Sequence, residues 1–268
     1  MHIHFNWSQK EIISARAVVD KLEAANVSFA VVSSTPSELA LELRRVGGEK
    51  IIPFFSPYTH ELGKRDWHLN PKTIALAKTG LQKRQYYGIG EVHFMAGFRP
   101  DINNSIFRQL IALALEFKVP MLVHVDAGNE NIFLNLCQQN PDLKMLIAHA
   151  GGNLKAAHIR KIIDGCDNVM IEFSARDPWR YDGLTNENQL LQEDWRRLVL
   201  EFPRRFMIGT DPVWTVTRTQ SWDQADNGWD YFELLIEYHR NWISDLPSEV
   251  QQLVRIDNAR QFFQFPSH

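Results

Sequence analysis

Short apolar runs alternate along this chain with longer stretches that have the period of an amphipathic helix. The runs are centred on Ile3 and then cover residues 28–33, 50–55, 87–91, 119–124, 143–149, 169–173 and 205–209. Helical patterns occupy residues 9–25, 36–46, 103–117, 130–139, 154–164, 187–201, 231–243 and 248–263. Such alternation predicts parallel strands joined by helical crossovers.

Eight strand–helix units predict an α/β fold, a closed (β/α)8 TIM-like barrel, in a single domain that covers residues 1–268. An open doubly wound sheet is the alternative, but such sheets more often have about five or six strands. Continuous apolar stretches such as residues 145–148 (MLIA) suit strands that are covered on both faces. The third crossover is the least regular, because residues 56–70 have the composition of a loop.

Composition narrows the class of protein further. Hydrophobic residues make up 44% of the 268 residues, which is enough for a large buried core, and the formal net charge is −3. No block of Lys or Arg stands out, which argues against a nucleic-acid or anionic-membrane partner. No signal sequence is recognisable, and no apolar run approaches the ~20 residues of a membrane-spanning helix. We expect a cytoplasmic protein with a small-molecule partner; assembly into a homo-oligomer is left open.

The chain has two cysteines, Cys137 and Cys166. Two are too few for a disulfide framework, and neither belongs to a C-x-x-C motif or to a Cys/His cluster. The sequence therefore predicts buried free thiols in a reducing compartment.

Metal-ligand side chains lie at the predicted strand ends, where a barrel of this kind gathers its reacting groups. These residues are His2 and His4 on the first strand, Glu91 with His93 on the fourth, His124 on the fifth, His149 on the sixth and Asp211 after the eighth. Residues i and i+2 of a strand point to one face, so His2 and His4 both aim into the barrel mouth. Such a donor set suits a divalent metal, zinc first and also manganese, iron or nickel.

Each of these residues alone has a simpler interpretation. A histidine on an apolar strand is more often a hydrogen-bonded core residue than a ligand. Asp211 fits an ordinary turn in Gly-Thr-Asp-Pro, and Glu91 would serve as a loop cap. The coincidence of five such strand ends favours the metal site. The remaining histidines are expected in loops, on helix surfaces or in the tail: His60, His68, His158, His239 and His268.

Six motifs follow one another along nearly the whole chain: MHIHF, GIGEVHF, MLVHVDAG, LIAHAGG, FMIGTDP and DNARQFF. Together they resemble the amidohydrolase superfamily, and within it the amidohydrolase-related group of metal-dependent hydrolases. GIGEVHF is also similar to the glutamate motif of TatD-like hydrolases, in which a carboxylate on the fourth strand bridges two metals.

The resemblance implies a role for each strand-end residue. His2 and His4 would bind the more buried metal, and Asp211 would contact that metal and act as the general base for the attacking water. His124 and His149 would bind a second metal.

In that arrangement Glu91 would bridge the two ions. In single-metal relatives, His124 joins the His-x-His pair instead and His149 polarises the substrate. His93 has no counterpart in the family pattern, so we expect it either to contact the substrate or to orient a ligand.

The expected reaction is hydrolysis of an amide, ester, lactone or phosphoester bond in a small substrate, at one or two metals. Non-oxidative decarboxylation at a single metal is one alternative, and a TatD-like DNase is another. The non-catalytic alternative is a barrel that keeps the histidines and only binds or scaffolds. All expected ligands are present, which favours an enzyme.

Two long loops, at residues 174–188 and 212–229, follow the seventh and eighth strands and are candidates for substrate recognition. Their cationic and aromatic side chains suit a planar or anionic group, and the candidate contacts are Arg176, Trp179, Arg180, Trp214 and Arg218, besides His93. The alternative is that these aromatics only hold the loops against the barrel.

The first strand is short, since Met1 alone precedes His2, whereas the family's His-x-His ends a full strand of about five residues. We expect this strand to be the least supported part of the barrel, unless the true start lies upstream of Met1.

Overall fold

The computed structural model describes residues 1–60, 63–94, 100–125, 129–213 and 226–264. All eight predicted strands are present: β1 His2–His4, β2 Ala30–Ser33, β3 Ile51–Pro53, β4 Ile89–Phe94, β5 Met121–Val125, β6 Met145–Ile147, β7 Val169–Glu172 and β8 Phe206–Met207. Every strand pair is parallel, as the alternation of strands and helices predicts.

Helices connect the strands, and most lie where the pattern predicts them. They are α1 Trp7–Lys10, α2 Ala15–Ala24, α3 Glu38–Gly47, α4 Lys72–Gln82, α5 Ser105–Phe117, α6 Glu130–Gln139, α7 Ala156–Gly165, α8 Glu193–Glu201, α9 Phe232–Ser244, α10 Ser248–Gln252 and α11 Asn258–Phe263. The predicted helix over 9–25 is divided, because the Ser14 side chain caps a new helix by accepting from the Ala17 amide. In the described part of the chain, no helix is both long and apolar enough to cross a membrane.

The eight strands form two hydrogen-bonded sets, β1-β2-β3 and β4-β5-β6-β7-β8, that meet at both edges. At one seam the Phe55 amide donates to the Gly88 carbonyl at 2.9 Å, and the Gly90 amide donates to the Phe55 carbonyl at 2.8 Å. At the other, the Thr210 and Asp211 amides both donate to the His2 carbonyl at 3.1 Å. The short strand β1 is therefore bonded on both sides, and the predicted barrel is confirmed.

Successive side chains along each strand point alternately outward, into the core beneath the helices, and inward, into the barrel interior. On β5, Met121 and Val123 pack outward against the helices, whereas Leu122 packs inward with residues of five other strands or strand ends. His124 lies two residues beyond Leu122 and so points into the same interior. Apolar side chains thus fill the lower barrel, and the next inward position on β5 carries a metal-ligand side chain.

Cys137 and Cys166 form a disulfide, with their Cα atoms 6.0 Å apart. The expectation of free thiols is therefore wrong. Cys137 lies on α6 and Cys166 follows α7, and these neighbouring helices bring the two buried side chains together. The pairing is non-local, so no spacing rule in the sequence indicates it.

His239 is also misassigned by the sequence, which predicts a loop, helix-surface or tail position. It lies on α9, but its side chain is 3% exposed. Its Nδ1 accepts a hydrogen bond from Trp242 Nε1 at 3.0 Å. The apolar face of α9 is wide enough to bury this histidine beside Trp242.

Candidate metal centre

The barrel brings all six predicted metal-ligand residues together at the carboxyl ends of its strands. His2 and His4 come from β1, Glu91 from β4, His124 from β5, His149 from the turn after β6 and Asp211 from the segment after β8. The four histidines and Glu91 are at most 6% exposed, and the Asp211 side chain is 15% exposed. Such a concentration of buried polar groups is costly unless they bind one another or a cation.

The first half of the centre is the β1 histidine pair with Asp211. The Nε2 atoms of His2 and His4 lie 3.1 Å apart. His4 Nε2 also lies 3.1 Å from Asp211 Oδ1, an oxygen that accepts no hydrogen bond within the described structure. One donor atom from each of these three residues falls within a sphere that would hold a metal ion. The orphaned carboxylate oxygen and the converging imidazoles fit a divalent cation.

The second half is formed by His124 and His149. His124 Nδ1 and His149 Nε2 lie 3.0 Å apart. Glu91 Oε1 lies 2.9 Å from His124 Nδ1 and 3.0 Å from His149 Nε2. The other carboxylate oxygen, Oε2, lies 3.3 Å from His4 Nε2. Glu91 therefore faces both histidine pairs with different oxygens, which is the arrangement of a bridging carboxylate.

The electrostatics of the cluster also fit a cation. Burial alone would lower the pKa of His4, but Asp211 and Glu91 outweigh it and raise the pKa to about 9. Burial alone would likewise raise the pKa of Asp211, yet His4 and His149 hold it well below its usual range. A proton on His4 Nε2 and a divalent cation therefore compete for one position between these groups.

Two of the candidate ligand residues have left-handed backbone conformations. His149 has φ 56° in the turn after β6, and Asp211 has φ 47°. A positive φ is uncommon for a side chain such as histidine and is retained only where the surroundings fix it. The His149 amide donates to Glu172 Oε1 at 3.0 Å, and the Asp211 amide donates to the His2 carbonyl.

Glu172, at the end of β7, is a site residue that the sequence reasoning missed. Its Oε1 lies 3.1 Å from His2 Nδ1, and the Ser174 hydroxyl donates to the same oxygen at 2.7 Å. Burial alone would raise the pKa of Glu172, but the hydrogen bond and charge of His2 lower it to about 2. The sequence did indicate this residue, because the glutamate of VMIEF, residues 169–173, falls at a strand end like the other candidate ligands.

Gly209 explains how Glu172 is accommodated beside β1. A Cβ atom at position 209 would collide with the Glu172 carboxylate, and it would lie only 3.0 Å from His2 Cβ. Any side chain here would push the carboxylate away from His2. The glycine is required by this close approach.

His93 is held by a tyrosine that the sequence analysis did not identify. The Tyr58 hydroxyl accepts from the His93 amide at 2.7 Å and lies 2.6 Å from His93 Nδ1. The other ring nitrogen, Nε2, lies 3.4 Å from Glu91 Oε2. The His93 ring also stacks on His124, with centroids 4.3 Å apart. His93 thus lies beside the centre in a fixed orientation.

A cavity opens above the ligands, and the predicted substrate-contact residues are distributed unevenly around it. Its lining includes every candidate ligand except His2, together with His93, Lys64, Ala175, Arg180, Tyr181 and Val213. Of the predicted substrate contacts, Arg180 and His93 therefore line the cavity. Lys64 comes from residues 56–70, which the sequence reading treated only as a loop.

Arg176 and Trp179, two further predicted substrate contacts, do not line this cavity. Arg176 is 2% exposed; it donates to the Gly152 and Leu154 carbonyls, and its guanidinium lies 5.0 Å from the centre of the Trp195 ring. Trp179 packs against Tyr238 in the outer core. Both side chains hold the loop onto the barrel, which was the alternative interpretation.

The predicted contacts Trp214 and Arg218 lie outside the described residues. Trp229, from the same predicted loop, is fully buried, and its Nε1 donates to the His4 carbonyl at 3.0 Å. This aromatic side chain therefore supports β1 directly.

The model of the amidohydrolase family matches residues 19–265 of the chain. A comparison with curated protein sequences gives no match.

Three similar solved structures come from different bacteria. A TatD homologue from Escherichia coli K12 is 13% identical with a TM-score of 0.69, and the match covers 99% of this chain and 98% of that one. A 2,6-dihydroxybenzoate decarboxylase from Rhizobium is 11% identical with a TM-score of 0.62, and the match covers 98% and 97% of the two chains. An amidohydrolase from Burkholderia multivorans with bound zinc is 16% identical with a TM-score of 0.55, and the match covers 99% and 98%.

At these identities the structural likenesses show the fold, and they agree with a barrel built from all eight strand–helix units. The family match spans most of the chain, and the motifs that resemble the family contribute the clustered ligands. The chain belongs to the amidohydrolase family of enzymes.

Proposed function

We propose that the protein is a hydrolase that activates water at two divalent metal ions, with zinc as the first candidate for their identity. The observation that carries this proposal is Glu91, whose two oxygens face different histidine pairs at 2.9–3.3 Å. A carboxylate in this position would bridge two ions, and it would have no such role if a single ion were bound. The similarity of GIGEVHF to the TatD glutamate motif supports the same arrangement.

Two imidazoles with one or two carboxylates form the donor set that zinc prefers, and the zinc-bound amidohydrolase with the same fold supports this choice. Divalent ions bound here would supply Lewis-acid activation of water and of the scissile carbonyl or phosphoryl group. His2, His4 and Asp211 would hold one ion, and His124 and His149 the other.

Asp211 is the proposed general base. Its pKa lies well below the usual range, so the carboxylate is ionised at neutral pH and able to accept a proton at Oδ1. The Asp211 side chain is 15% exposed and lines the cavity, so its carboxylate is open to a water molecule there. Asp211 would take a proton from the attacking water and deliver it to the leaving group.

Arg180 keeps that carboxylate in position. Its guanidinium donates to the Asp211 carbonyl and, at 2.7 Å, to the Thr210 carbonyl. Tyr181, whose hydroxyl lies 3.5 Å from His124 Nε2, closes one side of the cavity beside the two histidines. Small amide, ester, lactone or phosphoester substrates fit this enclosed geometry.

Single-metal decarboxylation is the second candidate, because His2, His4 and Asp211 form a three-residue ligand group without any help from Glu91. A decarboxylase shares the fold, although that likeness concerns the fold alone. The two candidates differ in the number of ions that they need.

Metal analysis of protein purified without chelator, together with a hydrolase substrate screen, tests the proposal. Two equivalents per chain that fall to one in Glu91→Gln would support the bridged site. One equivalent in the wild type, unchanged by Glu91→Gln, would favour the decarboxylase. Absence of bound metal after reconstitution with zinc or manganese would refute the metal-dependent mechanism.

A further inference from the structure

Two cationic side chains line the cavity above the metal centre, Lys64 and Arg180. The donors of Arg180 are already used within the protein. Its Nε and one terminal nitrogen bind Asp177 Oδ2 at 2.8 and 2.5 Å, and its terminal nitrogens also donate to the carbonyls of Thr210 and Asp211. Arg180 is thus committed to holding the loop after β7 against the end of β8.

Lys64 differs from Arg180 in this respect. It lies in the loop between β3 and α4, partly buried, and within the described residues its ammonium makes no hydrogen bond or ion pair. The positive charge of Lys64 contributes to the lowered pKa of His93, and it partly opposes the rise in the pKa of Asp226 that burial causes. A partly buried ammonium that no described residue pairs with is costly unless a ligand supplies the opposite charge.

We propose that Lys64 binds a carboxylate of the substrate, remote from the scissile bond, and so selects small anionic acyl compounds. This inference rests on the proposed hydrolase function. The ammonium is a compact charge that suits one carboxylate without a bidentate geometry. Apart from Lys64 and Arg180, the described lining consists of the carboxylates and imidazoles of the centre, Tyr181 and the small apolar side chains Ala175 and Val213, which offer no further lysine or arginine.

The position of Lys64 gives this contact a directional role. The carboxylates of Glu91 and Asp211 lie at the carboxyl ends of the strands among the histidines, whereas Lys64 comes from the loop between β3 and α4. A substrate with one anionic end would therefore orient that end toward Lys64 and its neutral acyl group toward the candidate metal centre. Orientation of this kind raises the rate by pre-arranging the reacting groups.

The test uses two esters with one leaving group, p-nitrophenyl acetate and mono-p-nitrophenyl glutarate, on zinc-loaded full-length protein. The quantity compared is the ratio of kcat/KM for the anionic ester to that for the neutral ester. Binding of glutarate, measured by calorimetry, gives a second readout that needs no turnover. The variants are Lys64→Gln and Lys64→Arg, with Lys78→Gln on the exposed face of α4 as the matched control.

We expect the wild type and Lys78→Gln to favour the anionic ester by roughly tenfold or more, as for a hydrogen bond between charged groups. Lys64→Gln should bring the ratio close to unity and weaken glutarate binding by a similar factor, and Lys64→Arg should retain part of both. A ratio or a glutarate affinity in Lys64→Gln equal to that of the wild type would overturn the proposal. If neither ester is cleaved but glutarate binding depends on Lys64, the carboxylate site stands and esterase activity of the proposed hydrolase is refuted.

Discussion

Glu172 and His2 form a buried carboxylate–imidazole pair across the barrel, with Oε1 3.1 Å from Nδ1 and both side chains 1% exposed. Because the pKa of Glu172 is lowered to about 2, its carboxylate only accepts, so His2 Nδ1 is the donor. The proton on Nδ1 leaves the lone pair of His2 on Nε2, which is the atom that faces His4. Glu172 therefore sets the tautomer of a candidate metal ligand, although it is not itself one of the candidate ligands.

The first prediction concerns this pair. Glu172→Gln should lower zinc affinity by about 10–100-fold, the usual cost of removing a carboxylate behind a histidine ligand. The Gln side chain keeps the size but loses the charge that fixes the His2 tautomer. Competition with a chromophoric chelator measures the affinity. Glu201→Gln on α8 is the control, since that side chain is 44% exposed. Equal zinc affinities in the two variants would mean that Glu172 has no part in orienting His2.

The sequence predicts most of this centre because the barrel topology converts strand ends into neighbours. Two residues apart on one strand, His2 and His4 had to share a face, and parallel pairing had to bring His124 and His149 beside them. These inferences need only the period of the strands and the order of the elements. The ligand cluster is consequently predictable without any knowledge of side-chain contacts.

Residues that act through long-range contacts were not predictable in the same way. Tyr58 reaches His93 from a loop whose composition gives no periodic signal, and α4 follows that loop. Arg176 looked like an anion contact because arginine in a long loop is a common binding residue, yet burial beside Trp195 gives it a supporting role. Composition does not indicate which face of a loop turns inward.

The second prediction concerns the Tyr58 hydroxyl. Tyr58→Phe leaves the buried His93 amide without its acceptor, which should lower the free energy of unfolding by about 1–3 kcal/mol. The His93 ring should also lose its fixed orientation, visible as a change in its ring-nitrogen chemical shifts. Urea denaturation and 15N NMR measure these effects.

Tyr87→Phe is the matched control for this change. Tyr87 is 38% exposed, and its hydroxyl accepts from Arg44 at the surface at 3.2 Å. We expect it to cost well under 1 kcal/mol, as surface substitutions do. If Tyr58→Phe is no more destabilising than Tyr87→Phe, the His93–Tyr58 hydrogen bond contributes nothing to the fold.

A third prediction follows from the buried histidine on α9. Burial lowers the pKa of His239 from 6.5 to about 4, against the opposing charge of Asp177. A histidine with a depressed pKa in the folded state stabilises the fold fully above its unfolded pKa, and that contribution is lost as the pH falls from about 6.5 to about 4. The loss should be on the order of 3 kcal/mol, since burial penalises the protonated form.

The measurement is the free energy of unfolding as a function of pH for the wild type and His239→Gln. The Gln amide still offers an acceptor to Trp242 but does not titrate, so the variant should lose less stability across this pH window. His158→Gln on α7 serves as the matched control. Parallel curves for the wild type and His239→Gln would rule out His239 as a source of acid sensitivity.

The last prediction separates metal binding from proton transfer at Asp211. Asparagine tolerates the left-handed backbone that Asp211 adopts at φ 47°, so Asp211→Asn should fold without added strain. The amide oxygen remains available to a cation, but the side chain no longer accepts a proton from water. We therefore expect most of the bound metal to remain while turnover of a screened substrate falls by about 10²–10⁴-fold, the usual range for losing a general base.

Metal content and kcat are measured on the same preparation, with Asp164→Asn on the exposed face of α7 as the control. Turnover that survives in Asp211→Asn would remove Asp211 from the proton-transfer step, and loss of metal together with turnover would assign it a role as ligand alone.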